Sequence, residues 1–193
     1  MPPTDHGPRT RMIQSAAVLM RERGIDATSF SAVLEHSGAP RGSIYHHFPE
    51  GKAQLIEEAT RYAGEYTAAT LAAALEKTGD PAAAIAKFTA FWRAILSNSE
   101  FAAGCPVVAA ALDAEPESAA RGEAGAAFVQ WRRLLADALT SRGVAPDRAG
   151  PIATFAIAAV EGAVVLSRAE RSLAPLEDVA SELEVLLTSA IAA

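Results

Sequence analysis

Apolar residues recur along this chain at spacings of three and four, and no segment alternates apolar with polar. That is the period of helices buried on one side, not of half-buried strands. Met12, Ile13, Ala16, Leu19 and Met20 mark the inner side of a first helix over 9–23, closed by Gly24. Thr28 or Ser29 caps a second, with Phe30, Val33 and Leu34 inward, and Ser37-Gly38 turns the chain. A third short helix is predicted over 40–47, broken by Pro49-Glu50-Gly51. A long fourth follows over 52–77, stopped by Gly79-Asp80-Pro81. The fifth, over 81–98, turns Ile85, Phe88, Phe91, Trp92 and Ile95 to one side. A sixth over 106–114, a seventh over 117–141, an eighth over 147–170 and a ninth over 176–190 complete the pattern. The expectation is an all-α chain of about nine helices preceded by a flexible arm, residues 1–8.

Two of these stripes carry more apolar surface than a core requires. Leu176, Val179, Ala180, Leu183, Leu186, Leu187, Ala190 and Ile191 form one; Phe155, Ala159, Ala163 and Leu166 form another, rich in small residues. Apolar surplus of this kind marks an interface, so helices eight and nine are expected to build a homodimer. Glu161 interrupts the second stripe. An unpaired buried carboxylate is costly, so a partner such as Arg132, Arg133 or Arg168 is expected, with Glu161 at the dimer rim or in a pocket.

Composition narrows the class. Half of the 193 residues are apolar and a fifth are charged, as in a globular chain with a real core. The longest apolar run, over 152–160, falls short of the ~20 residues that span a bilayer, and the N-terminus lacks a secretory pattern. Cys105 is the lone cysteine, so no intramolecular disulfide forms. A cytoplasmic location without membrane contact is the simplest expectation. The net charge is −6, but residues 1–49 carry five Arg against four Asp and Glu, while the remainder carries twelve Lys and Arg against nineteen acids. The N-terminal part is the less acidic one.

Two helices joined by a short glycine-containing turn form the helix-turn-helix pattern, here over 28–52. Gly38 tolerates the positive φ the turn demands. The third helix is the one a major groove accepts. Pro40, Gly42 and Ser43 are poor helix formers within it, and such a local violation points to function; a small residue lets the backbone approach a duplex. The sequence Phe30…Gly38-Ala39-Pro40-Arg41-Gly42-Ser43-Ile44-Tyr45-His46-His47-Phe48-Pro49-Glu50-Gly51-Lys52 resembles the signature of the TetR family of bacterial repressors. Most members have alanine at the place of Leu34 and one residue fewer between Phe48 and Lys52. Those departures, with Gly104-Cys105-Pro106-Val107 and Glu161-Gly162-Ala163, resemble the LmrA/YxaF-like branch, which represses multidrug-resistance genes.

The resemblance implies a DNA-binding domain over 1–51 and a ligand-binding and dimerisation domain over 52–193. It implies a palindromic double-stranded operator. Arg41 and Ser43 would meet base edges while Gly42 lets the helix come close; Tyr45 and Lys52 would meet phosphates, and His46 and His47 backbone or bases. Thr28 and Ser29 would offer a helix N-terminus to phosphate. Ile44 and Phe48 are core and His36 a surface residue. A metal on His46-His47 is not expected, because adjacent helical residues diverge. The helices beyond Lys52 imply a small lipophilic or aromatic effector, with Phe88, Phe91, Trp92, Cys105, Val108, Phe128, Trp131, Phe155 and Glu161 as candidate lining. No cofactor and no enzymatic activity are expected: Asp113, Glu115 and Glu117 lie close in sequence, but without histidine ligands or a phosphate loop. Repression lifted by ligand is the expected mechanism, with ligand-responsive activation as the alternative.

Overall fold

A computed structural model describes residues 7–113, 115 and 118–192 of the chain. Most of the expected arm lies outside the described residues. So do Ala114 and Glu117, where the sixth helix is expected to end and the seventh to begin. Among the described residues the chain forms nine α-helices and no strand. They are α1 (Pro8–Arg23), α2 (Phe30–Ser37), α3 (Ile44–His47), α4 (Lys52–Thr78), α5 (Pro81–Asn98), α6 (Pro106–Ala111), α7 (Ala119–Ser141), α8 (Pro146–Glu170) and α9 (Ala174–Ala192). The helix expected over 40–47 divides in two: a 3-10 turn at Arg41–Ser43 precedes a single α turn, α3. The cause is local. The Ser43 hydroxyl donates to the Pro40 carbonyl at 2.7 Å and Gly42 lacks a helix-favouring side chain, so the tighter i to i+3 pattern wins.

The chain divides into two compact units, residues 1–65 with 105–126 and residues 66–104 with 127–193. In the first, α1 packs on α2 and on α6. Its core holds Met12, Leu19, Met20, Val33, Ile44, Phe48 and Leu55, each at most 2% exposed. In the second, α5, α8 and α9 pack on one another. Phe88, Trp92, Leu96, Trp131 and Leu135 are buried there. Asp80 starts α5 by accepting the Ala82 N–H at 3.2 Å, one of the orphan donors of a helix start.

The two apolar stripes expected at the dimer surface differ in how they are covered. Leu176, Leu183 and Leu187 are buried inside the protomer, where α9 packs on α5 and α8, while Val179, Ala180, Leu186, Ala190 and Ile191 are half-buried; part of the α9 stripe is core. A stripe in a sequence states that a face is covered, not by what. On α9, Val185 is 60% exposed. An exposed apolar face lies on α8, as the stripe through Phe155 and Leu166 suggested, with Phe155, Val165 and Leu166 each more than half exposed. Together with its 25 residues, this surface makes α8 long and apolar enough to cross a bilayer by length and composition, although half of that stretch is buried. The apolar run over 152–160 resumes beyond Glu161-Gly162 with Ala163, Val164, Val165 and Leu166.

Candidate nucleic-acid interface

The first unit builds a helix-turn-helix head. Ser29 caps α2, its hydroxyl accepting the Ala32 N–H at 3.2 Å and lying 2.9 Å from the Ser31 hydroxyl. Gly38 ends α2 at φ 63°, ψ 19°, a left-handed conformation in which a Cβ is strained. His36 is fastened to α1: its Nδ1 lies 2.9 Å from the hydroxyl of buried Ser15.

Ile44 is 1% exposed and Phe48 not at all. These two anchors press the recognition segment onto the core and turn its other side out. Arg41, Gly42, Tyr45 and His46 are exposed, while Ser43 and His47 are half-buried. The outward residues lie one turn apart, as a helix entering a groove requires. Tyr45 is 71% exposed and meets Phe30 edge-on, ring centroids 5.5 Å apart. The His46 and His47 rings are 5.3 Å apart and tilted by 62°.

Two expected phosphate contacts make hydrogen bonds within the head. Thr28 is fully buried and its hydroxyl donates to the Gly24 carbonyl at 2.8 Å, so it holds the α1–α2 turn and presents no hydroxyl to solvent. Lys52, at the first position of α4, donates to the Asp26 carbonyl at 3.2 Å, which ties the start of α4 to the turn before α2.

Ion pairs also order this unit. Arg9 Nη2 donates to both oxygens of Glu58, at 2.7 and 2.5 Å. Arg61 donates to Glu57 at 2.5 Å and to Glu123 at 2.9 Å. The Glu123 hydrogen bond, with the attraction of both carboxylates, raises the Arg61 pKa against the opposing effect of burial. The i, i+4 relation of Glu57 to Arg61 is readable in sequence; the partners on α1 and α7 are not.

The expected effector lining divides between the units. Cys105 is buried at the N-cap of α6 and Val108 half-buried within that helix, both in the first unit. The aromatic candidates lie in the second. Phe88 and Phe91 stack at 6.2 Å, Phe91 and Trp92 meet at 5.2 Å, and Tyr66 joins Phe91 at 6.1 Å. Among the described residues no hydrogen-bond acceptor faces the Trp92 indole N–H, although the residue is 1% exposed. Phe128 and Trp131 form a separate edge-on pair at 5.2 Å. Phe155, expected both in the α8 stripe and in the lining, is 59% exposed and lines a surface groove of about 760 Å³ with Val129, Arg132, Arg133 and Thr154. Glu161 is 8% exposed. Of its expected partners, Arg132 bonds Thr154 and the Phe128 carbonyl, both at 3.4 Å, and Arg133 faces Asp137 at 3.7 Å.

Residues 12–59 match the family described as bacterial regulatory proteins, tetR family. Residues 81–182 match the C-terminal domain described as transcriptional regulator LmrA/YxaF-like. The chain belongs to the TetR family, in its LmrA/YxaF-like branch. An HTH-type transcriptional regulator of Mycobacterium tuberculosis is 43% identical over 94% of both chains. LmrA of Bacillus subtilis, an HTH-type transcriptional regulator, is 31% identical over 93% of this chain and 96% of its own. A TetR transcriptional regulator from Legionella pneumophila shares the fold, with TM-score 0.80 and 24% identity over 97% of this chain and 100% of that one. The protein is a TetR-type helix-turn-helix transcriptional regulator.

Proposed function

We propose that the protein is a homodimeric repressor that holds a palindromic operator in the cytoplasm and releases it when a small lipophilic or aromatic molecule binds. Residues 1–51 act as the DNA-binding domain and 52–193 as the ligand-binding and dimerisation domain. The observation that carries the reading is the outward row Arg41, Gly42, Tyr45 and His46 on a segment anchored by buried Ile44 and Phe48. Arg41 reads a base edge, for which guanine is the commonest arginine partner. Gly42 admits the close backbone, with Ser43 beside it. Ser29, Tyr45, His46, His47 and Lys52 fix the register on phosphates, which position without specifying. Thr28 supports the turn.

The effector enters the second unit beside Phe88, Phe91 and Trp92. Ligand pockets are apolar with a few placed polar groups, and the buried Trp92 N–H without an acceptor among the described residues fits such a group. Glu161 is the second polar candidate. Binding there shifts the population towards a form with lower operator affinity, and the coupling is reciprocal.

Footprinting on the DNA upstream of the protein's own coding sequence, with and without a panel of flat lipophilic compounds, tests both halves. Protection of an inverted repeat that one compound abolishes is the expected result. Trp92→Phe removes the N–H and also leaves a smaller ring at this buried position, so a thermal melt accompanies it; it should weaken the response to that compound and leave protection intact. Absence of protection on any upstream fragment would defeat the repressor reading.

A further inference from the structure

The junction between recognition helix and α4 is closed by a chain of side chains in the first unit. The Arg9 guanidinium stands 5.4 Å over the ring of Phe48, the residue that ends α3. The same Arg9 donates to both oxygens of Glu58, on the second turn of α4. Glu58 also accepts the Gln54 amide N–H at 3.0 Å. The Gln54 carbonyl in turn accepts the Glu50 backbone N–H at 3.1 Å. Glu50 and Gly51 form the turn between the two helices, with Gly51 at φ 83°.

An arginine at the first turn of α1 invites assignment as a phosphate contact, since phosphate binds guanidinium well. The surroundings oppose that role. The Glu58 side chain is only 14% exposed, and a carboxylate so enclosed is costly to leave without its partner. Swinging Arg9 out to a phosphate would also uncover Phe48 and place an unbalanced negative charge near the duplex.

We propose that Arg9 and Glu58 are positioning residues for operator reading. Through Phe48 on one side and Gln54–Glu50 on the other, they fix the angle at which the recognition segment leaves α4. Arg9 contacts no phosphate. The inference rests on the DNA-reading role assigned to Arg41 and its neighbours, but its first readout needs no DNA.

Glu58→Gln in the full-length protein separates the two roles, because they predict opposite signs. If Arg9 bound phosphate, Glu58→Gln would free it and remove a repelling charge, and operator affinity would rise. As a positioning residue, Glu58→Gln loosens the junction. Amide exchange at Glu50 and Gly51 should then quicken in the free protein, and affinity for the footprinted fragment should fall by about tenfold, with a salt slope unchanged from wild type. Arg9→Lys, which keeps a cation beside Phe48 and Glu58, should retain more of the wild-type exchange protection and affinity than Arg9→Gln does. Tighter binding by Glu58→Gln, exchange unchanged at the junction, or a slope lowered by about one in Arg9→Gln would each overturn the proposal. If wild type protects no fragment, the operator reading fails by itself, while the exchange arm still decides whether the pair holds the junction.

Discussion

Arg41 and Lys52 are both cations of the reading head, yet their surroundings assign them different roles. Arg41 is exposed at the start of the 3-10 turn, placed to reach a base. Lys52 is half-buried with its ammonium on the Asp26 carbonyl, placed to serve turn and phosphate together. Arg41→Ala is therefore expected to cost ~1–3 kcal/mol of operator binding and to relax preference at one base position. Lys52→Ala should weaken all sequences alike, lower the salt slope by about 0.9, and reduce stability by ~0.5–1.5 kcal/mol through the lost hydrogen bond. Gel-shift titrations on operator variants at two salt concentrations, with thermal melts alongside, check this; indistinguishable behaviour would remove the distinction. Residue roles of this kind were only half legible in the sequence. Ile44 and Phe48 declare themselves by spacing. Thr28 does not: a cap residue and a buried threonine bonded four residues back look alike until the Gly24 carbonyl is placed beside it. Nor do Arg9 and Glu58, whose partnership spans 49 positions.

At the scale of elements, the ends of helices were the most legible part, because single residues set them. Gly38 ends α2 and Asp80-Pro81 opens α5 by chemistry confined to a few neighbours. Less legible was the conformation within the recognition segment, where Ser43 competes for the Pro40 carbonyl. The turn after α5 was also hidden, since Glu100 and Phe101 adopt positive φ without a glycine to announce it. The recognition segment yields a prediction of opposed effects. Gly42 does not occupy the positive-φ region, and an added Cβ would meet nothing within 4 Å. Gly42→Ala should then stabilise the free protein by ~0.4–1 kcal/mol through the unfolded chain. If the glycine exists to let the backbone approach DNA, the same substitution lowers operator affinity. A higher melting temperature together with weaker binding is the expected pair of results; equal or tighter binding would return Gly42 to a neutral position in the turn.

Across the whole molecule, the question is which face joins two copies. A single reading head carries little positive charge: residues 1–49 hold five Arg against four acids. Phosphate contacts supply much of the affinity for DNA, so one head alone binds weakly, and two linked heads gain ~10²–10⁴-fold from effective concentration. The sequence suggested α8 and α9 together for this link, and of these α9 has Leu176, Leu183 and Leu187 already buried within the protomer. The α8 face through Phe155, Ala158, Gly162, Val165, Leu166 and Ala169 is exposed along its length, and its small residues allow two such helices to approach closely. A two-fold interface repeats every contact, so one charge on it acts twice. Leu166→Glu should convert the dimer to a monomer by light scattering, with its helical content kept, and lower operator affinity by about a hundredfold or more. Leu187→Ala in α9 serves as the contrasting variant. It should cost ~2–5 kcal/mol of stability as a core truncation without selectively splitting the dimer. A Leu166→Glu protein that remains dimeric and binds unchanged would move the interface off α8.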